Sequence, residues 1–145
     1  DVQVFHDFRH KIPILVNEKN SRAGREKIGT DMAVPDKYFA DMMTFYNKTL
    51  FGKGLPYVIF GHLGDNHLHI NLLPDSSQHK LAESLYDELV RKIISWDGTV
   101  SAEHGIGKKK KKYFYEMVGK ENIEDLKRIK KALDPQARLG RENIL

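Results

Sequence analysis

Two segments rich in β-forming residues, joined by a three-residue turn, constrain the fold of this chain more than any other feature. Residues 55–63 and 67–73 are rich in Val, Ile, Phe, Tyr and Leu, and Gly64-Asp65-Asn66 separates them. Gly, Asp and Asn tolerate the backbone angles of tight turns, so this pattern is typical of an antiparallel hairpin. The sequence therefore predicts two neighbouring strands in one sheet.

The predicted hairpin has one polar face and one apolar face. Successive side chains of a strand alternate between faces, so His67, His69 and Asn71 point together. Pairing registers that place His62 opposite either His67 or His69 bring its side chain to that same face. The opposite face carries three aliphatic residues that turn to the helices: Leu68, Ile70 and Leu72. We therefore expect the functional site on the polar face.

Further helices and strands surround the hairpin. They are predicted from apolar residues at helical or alternating spacing and from Gly and Pro boundaries. In chain order the first elements are a helix at 5–18 that Pro13 kinks or shortens, a polar loop at 20–29, a strand at 31–34, a helix at 36–50 and the hairpin. A helix then runs from a Ser76 or Ser77 cap to about Trp96, and its buried face carries Leu81, Leu85, Leu89, Ile93 and Trp96. A strand at 99–102 and a helix at 123–133 follow. Between residues 31 and 102 the order is β-α-β-β-α-β. This order predicts an α+β, ferredoxin-like fold, in which an antiparallel sheet has both helices on one face.

Length and composition limit the class of protein. The 145 residues, 40% of them hydrophobic, suffice for one domain with a continuous core. The chain begins with Asp1, shows no signal peptide and has no apolar run near the roughly 18 residues of a membrane span, so we expect a piece of a soluble protein. The absence of Cys fits a reducing compartment. We therefore expect the cytoplasm, with peripheral attachment at the inner face of the membrane as the alternative.

Positive charge is concentrated in one segment. The formal net charge is +4, and residues 108–112 are five consecutive lysines. No aromatic or arginine residues alternate with them as they would in a base-stacking surface, so we expect no nucleic-acid partner. We interpret the run as a solvated face beside an anion-binding site.

The histidines of the hairpin are candidate metal ligands. Imidazole binds Zn, Mn, Fe or Co, and a carboxylate completes a two-histidine, one-carboxylate site with open positions for a substrate. Glu103, at the end of the predicted last strand, can supply that carboxylate. His67 can bind the metal, replace another residue or only line the site, and the pattern leaves these alternatives open. Three other histidines are interpreted as ordinary surface or core residues: His6, His10 and His79.

His104 is the candidate general base. Adjacent side chains of an extended chain diverge, so His104 does not share a metal with Glu103 but can face a substrate bound to that metal. An imidazole with a pKa near neutrality fits this role. Gly105 and Gly107 allow the backbone to approach a ligand closely, although a Gly-x-Gly after a strand is also what an ordinary turn contains.

Two segments resemble the signatures of a known family. One is Gly61-His62-Leu63-Gly64-Asp65 with His69-Ile70-Asn71, and the other is Ser101-Ala102-Glu103-His104-Gly105-Ile106-Gly107. They resemble the C-terminal domain of FAD-linked oxidases, a family that includes glycolate oxidase, D-lactate dehydrogenases and D-2-hydroxyglutarate dehydrogenase. Arg9 with Pro13, residues 31–35 and residues 132–135 also lie in family order.

The resemblance implies a function and a set of roles. It implies that residues 1–145 are the substrate, or cap, domain of an FAD-dependent oxidoreductase. This enzyme would oxidise a 2-hydroxy acid to a 2-oxo acid by hydride transfer to flavin. The domain would be inactive without its N-terminal flavin-binding domain. Implied partners are that acid, the flavin-binding domain and an electron-acceptor subunit. The implied residues are His62, His69 and Glu103 for a divalent Zn, Mn or Fe ion, His104 for the hydroxyl proton, and Arg9, Lys27 and Asn71 for the substrate.

This chain departs from the family pattern in two places. The usual Gly-Asp-Gly-Asn-x-His is Gly-Asp-Asn-His-Leu-His here, so Asn66 and His67 replace a Gly-Asn pair. The usual Asn-Pro-Gly near the C-terminus is replaced by residues 139–143, Leu-Gly-Arg-Glu-Asn. Neither departure removes a proposed ligand.

Two other functions are compatible with the residues. A metal-dependent hydrolase would use Glu103 or His104 to activate a metal-bound water and would need no flavin. A ferredoxin-like nucleic-acid binder would use the lysine run at 108–112, although the strands lack the exposed aromatic pairs of such proteins. An adjoining flavin-binding domain would distinguish the oxidoreductase from both.

Overall fold

The computed structural model describes residues 1–22, 24 and 26–145. In this part of the chain, four α-helices accompany a four-stranded antiparallel sheet, which confirms the predicted α+β class. In chain order the elements are α1 (Val2–Arg22), β1 (Ile28–Gly29), β2 (Met32–Ala33), α2 (Phe39–Leu50), β3 (Tyr57–His62), β4 (His67–Leu72), α3 (His79–Ser95) and α4 (Lys111–Leu133).

Strands β3 and β4 form the predicted hairpin. Their register runs from Tyr57 opposite Leu72 to His62 opposite His67. A short 3-10 turn, Leu63–Asp65, connects them and ends at Asn66, which has a φ of 50° in the left-handed region. Asn tolerates this region better than most residues, so the turn forms without the glycine usual at this point in the family. The hairpin prediction is confirmed.

Strands β1 and β2 form one edge strand with an interruption at Thr30 and Asp31. Both pair with β4 in one continuous antiparallel register, from Ile28 opposite Leu72 to Ala33 opposite His67. At the interruption, the Ile70 amide donates to the Thr30 hydroxyl at 2.9 Å instead of to the Thr30 carbonyl. The strand therefore starts earlier than the predicted residues 31–34. Its interruption leaves the Thr30 carbonyl able to accept a hydrogen bond from a side chain.

The predicted fourth strand is much shorter than expected. Thr99 forms a single antiparallel bridge with Ala33, and the Ala102 amide donates to the Asp31 carbonyl at 3.2 Å. The order across the sheet is thus the segment at Thr99, β1 with β2, β4, and then β3. This is the strand order of the split β-α-β arrangement. No regular ladder forms over 99–102 because the Ser101 amide donates to the Thr99 hydroxyl at 3.2 Å and not to the neighbouring strand.

The apolar face of the sheet packs against α2 and α3. Leu68, Ile70 and Leu72 of β4 are buried, as predicted. They belong to one core cluster with residues of both helices: Met42, Tyr46, Leu50, Ala82, Leu85, Leu89, Val90 and Ile93. Leu81, predicted to be buried, is 37% exposed. The opposite face of the sheet is thereby left to polar residues.

Three helix boundaries differ from the sequence prediction. Helix α1 continues to Arg22 through Pro13, so part of the predicted loop at 20–29 is helical; positions 23 and 25 of that loop lie outside the described residues. No serine side chain caps α3, because the Asp75 carboxylate accepts the Ser77 and Gln78 amides before the helix begins. Helix α4 starts at Lys111, not at 123, and is broken at Gly119, whose φ is 79°.

Helix α1 carries several exposed large apolar side chains. Its only buried residue is Asn20, whereas Phe5, Phe8 and Leu15 are each at least 60% exposed. Among the described residues, no helix is both long enough and apolar enough to cross a membrane.

The hairpin provides a test of the fold. A Cβ added at Gly61 would lie 2.2 Å from the His67 carbonyl oxygen and 2.8 Å from the Leu68 Cα, whereas one at Gly64 would meet nothing within 4 Å. We expect Gly61→Ala to lower the free energy of unfolding by about 1–3 kcal/mol. Gly64→Ala should be nearly neutral. Chemical denaturation measures both, and equal midpoints for the two variants would contradict the register described here.

Candidate metal and substrate site

Four candidate ligands lie together on the polar face of the sheet. His62 ends β3, His67 and His69 lie on β4, and Glu103 follows the short bridge at Thr99. One nitrogen or oxygen atom of each residue lies within 4.8 Å of the corresponding atoms of the others. The register places His62 directly opposite His67, which is one of the two pairings predicted to bring it to this face.

The Glu103 carboxylate is the centre of this cluster. Its Oε1 lies 3.0 Å from His62 Nε2 and 3.6 Å from His67 Nδ1, and its Oε2 lies 3.6 Å from His69 Nε2. His67 and His69 are buried, whereas the Glu103 side chain is 44% exposed. The two strand histidines therefore form the floor of the cluster, and Glu103 leaves one side open.

The proton positions on the two buried rings are set by their partners. His69 Nδ1 lies 3.2 Å from the Thr30 carbonyl oxygen, the group released by the interruption of the edge strand. His67 Nε2 lies 2.8 Å from Asp31 Oδ1. A carbonyl and an ionised carboxylate only accept hydrogen bonds, so each ring nitrogen must donate. In the neutral rings, the remaining nitrogen of each is an acceptor that faces Glu103.

Burial and local charges favour these protonation states. Burial lowers the pKa of His69, despite the hydrogen bond to Thr30 that raises it. Burial would raise the pKa of Asp31, but the His104 amide, Lys110, the Glu103 amide and the His67 ring together hold it well below its usual range. Near neutral pH we therefore treat His69 as neutral and Asp31 as ionised.

When both rings are neutral, two acceptor nitrogens face an acceptor carboxylate with no proton of their own between them. This arrangement is unfavourable when it is empty, because lone pairs oppose one another, and it becomes favourable when a cation lies among them. Imidazole nitrogen and carboxylate oxygen are donors that Zn, Mn and Fe accept. The residues present therefore fit a divalent metal ion.

Asp31 holds the segment that carries Glu103 and His104. Its carboxylate accepts the backbone amides of Glu103, at 3.2 Å, and of His104, at 2.9 Å, together with the Ser101 hydroxyl at 3.1 Å. Lys110 Nζ lies 3.4 Å from the same carboxylate. These bonds hold the segment that follows the bridge at Thr99, and they orient Glu103 towards the histidines.

His104 lies beside the cluster on its open side. It is exposed, and its ring centroid is 5.4 Å from that of His69. A ring nitrogen of His104 lies within 4.8 Å of ligand atoms of His69 and Asp31, but His104 is not in the group that contains Glu103.

Arg9 reaches the cluster from helix α1. Its Nη2 lies 3.5 Å from His62 Nδ1. The guanidinium only donates, so Nδ1 of His62 accepts, and the proton of the neutral ring is on Nε2, where it can donate to Glu103. Arg9 is thus adjacent to the cluster, as the resemblance implies for a substrate-binding residue.

The other two residues assigned to the substrate are differently placed. Asn71 is buried on the polar face, two residues beyond His69, and a Cβ at the facing Gly29 would lie 3.0 Å from its Oδ1. Lys27 is exposed, and its Nζ donates to Asn17 of α1 at 2.9 Å. Asn71 therefore lies on the same face of β4 as His67 and His69, whereas Lys27 contacts α1.

Sequence reasoning missed three residues of the site: Thr30, Asp31 and Lys110. Asp31 was detectable, because a carboxylate in the short apolar strand Asp31-Met32-Ala33-Val34 must be paired if it is buried. Lys110 was hidden within the lysine run, which was interpreted as a solvated face. This interpretation is wrong for Lys110, whose side chain is only 16% exposed.

Comparison with known proteins identifies the family. The sequence profile of the family described as FAD linked oxidases, C-terminal domain, matches residues 3–144. D-lactate dehydrogenase (cytochrome), mitochondrial, of Kluyveromyces lactis is 34% identical over 115 residues, which cover 79% of this chain and 20% of that protein. D-2-hydroxyglutarate dehydrogenase, mitochondrial, of Danio rerio is 31% identical, over 76% of this chain and 21% of the relative.

A bacterial relative gives the same result. Glycolate oxidase subunit GlcD of Bacillus subtilis is 31% identical, over 73% of this chain and 23% of that protein. The chain thus spans about a fifth of the length of these relatives. The resemblance inferred from the two signatures is confirmed, and the chain belongs to the family of FAD linked oxidases, C-terminal domain.

Proposed function

We propose that this chain is the substrate- and metal-binding part of an FAD-dependent oxidoreductase that oxidises a 2-hydroxy acid to a 2-oxo acid. The observation that supports this most directly is the pair of buried histidines, His67 and His69, that each present one ring nitrogen to Glu103 next to an exposed histidine. The names of the relatives agree, since they refer to D-lactate, D-2-hydroxyglutarate and glycolate.

The proposed metal ligands are His62, His69 and Glu103. A divalent ion bound there supplies Lewis acidity, which lowers the pKa of a substrate hydroxyl and neutralises a neighbouring carboxylate. His62 must then present Nε2 without its proton, so the proton moves to Nδ1. That nitrogen no longer accepts from Arg9, and the guanidinium becomes available to a substrate carboxylate, with which it can form a bidentate pair.

His104 is the proposed general base. It lies on the open side of the cluster, and its backbone amide is held by Asp31, so its position is fixed relative to Glu103. We propose that its ring takes the hydroxyl proton while the hydride leaves the adjacent carbon. An FAD held next to this site would supply the hydride acceptor for oxidation to the 2-oxo acid. Asn71 and Lys27 are the remaining proposed substrate contacts.

The flavin would be bound by an N-terminal domain of the same protein. The matched relatives are about five times as long as the match, and the family description refers to a C-terminal domain. We propose that residues 1–145 provide the substrate side of the active site and that an electron-acceptor subunit reoxidises the flavin. The family assignment favours this function over a hydrolase or a nucleic-acid binder.

Removal of the metal tests the first part of this proposal. We expect a chelator to slow substrate reduction of the flavin in the intact protein by about 100-fold or more, because a bound metal contributes several kcal/mol of transition-state stabilisation. Addition of Mn²⁺ or Zn²⁺ should restore the rate. Anaerobic stopped-flow absorbance measures the rate, and an undiminished rate in verified metal-free protein would exclude a metal-dependent reaction.

A His104→Ala variant tests the base. We expect the rate of flavin reduction to fall by about 10²–10⁴-fold, the usual contribution of a positioned base, while the metal content stays unchanged. His79→Ala, on helix α3 outside the cluster, is the matched control and should react at the normal rate. If His104→Ala reduces the flavin as fast as the control does, the assignment of the base is wrong.

A further inference from the structure

His67 has no role in the proposed three-ligand site, although it lies next to all three of its ligands. It is buried directly opposite His62, and its ring centroid is 4.4 Å from that of His69. It is also one of the two residues at which this chain departs from the usual family motif. A role for His67 must therefore be argued from its own contacts.

The contacts of His67 fix which of its nitrogens is free. Nε2 lies 2.8 Å from Asp31 Oδ1, and that carboxylate already accepts two backbone amides and a hydroxyl. An acceptor with this many donors is ionised, so Nε2 donates to it, and in the neutral ring Nδ1 is the nitrogen that carries the lone pair. Nδ1 is directed to the cluster, 3.6 Å from Glu103 Oε1.

This is the arrangement of a metal-binding histidine with an orienting carboxylate. In such sites one ring nitrogen binds the metal and the other donates to a carboxylate or a carbonyl, which fixes the ring and raises its basicity. His69 has the equivalent partner in the Thr30 carbonyl. The two buried rings are therefore prepared in the same way, one by Asp31 and the other by Thr30.

We propose that His67 is a third imidazole ligand through Nδ1, so that this chain has a three-histidine, one-carboxylate site made of His62, His67, His69 and Glu103. The proposal rests on the metal site of the proposed function and adds a ligand to it. The four residues meet the geometric requirement, because their candidate ligand atoms all lie within 4.8 Å of one another.

A fourth protein ligand restricts the metal. Four protein donors would close a tetrahedral site, and a substrate could then not bind to the ion. The site therefore requires an ion that accepts five or six ligands. With six, two positions remain, which is the number that a 2-hydroxy acid fills with its hydroxyl and carboxylate oxygens. Octahedral first-row ions such as Mn²⁺ and Fe²⁺ meet this requirement.

The alternative is that His67 only supports Asp31. The substitution His67→Gln separates the two roles, because a glutamine amide can occupy the position of Nε2 and keep the hydrogen bond to Asp31 but offers no donor atom at the position of Nδ1. If His67 only supports Asp31, His67→Gln should leave the metal affinity unchanged. His69→Ala removes a ligand of the original three, and His79→Ala is the control outside the cluster.

The experiment is a competition titration of the intact protein with Mn²⁺, followed by pulsed EPR of the Cu²⁺-loaded protein to count the bound imidazoles. All variants carry His10→Ala, since the exposed His6 and His10 ring nitrogens lie 3.1 Å apart and can themselves bind copper. Thermal denaturation of the metal-free proteins checks that each variant is folded.

We expect three bound imidazoles in the protein with His67 and two in His67→Gln. The metal affinity of His67→Gln should fall by at least roughly 10–100-fold, which is the loss expected when an orienting partner alone is removed. Unchanged affinity and two imidazoles in both would overturn the role of His67 and leave the three-ligand site intact, provided that His69→Ala binds weakly. If the unaltered site binds no metal, or if His69→Ala binds as tightly as the control, the proposed function fails as well.

Discussion

The site depends on the hydrogen bonds and ion pairs of the buried Asp31 carboxylate. A charge that is removed from water must be paired and hydrogen-bonded, and Asp31 satisfies this need with the His67 ring, the Ser101 hydroxyl, Lys110 and the backbone amides of Glu103 and His104. These bonds join three distant parts of the chain. They fix a segment without regular strand structure firmly enough for it to present Glu103 to the hairpin.

The division of the sheet into two faces explains why the site forms at this place. Leu68, Ile70 and Leu72 stabilise one face of β4 by packing on α2 and α3. The alternate residues, His67, His69 and Asn71, are then confined to the other face by the geometry of the strand. A one-residue change of register would exchange the two sets, so the hydrophobic core also determines which side chains reach the candidate metal site.

Sequence predicted the hairpin and the shared face of its histidines, because both follow from local turn chemistry and strict alternation. It did not predict Asp31 as an anchor, since the amides that it accepts come from about 70 residues further along the chain. For the same reason a ladder was predicted at 99–102 where side-chain bonds replace it. The start of α4 was missed because its first turn contains Lys111 and Lys112 of the lysine run and shows no apolar stripe. Lys112 bonds to Asp87 of α3 and lies over the Tyr113 ring, contacts that the sequence does not reveal.

The central claim is that His62, His69 and Glu103 bind one divalent cation beside His104. Anomalous diffraction from crystals of the intact protein grown with Mn²⁺ or Zn²⁺ tests it most directly. We expect one strong peak about 2.0–2.2 Å from His69 Nε2 and from a Glu103 oxygen. A peak elsewhere in the protein, with these side chains in unchanged positions and no density among them, would contradict it.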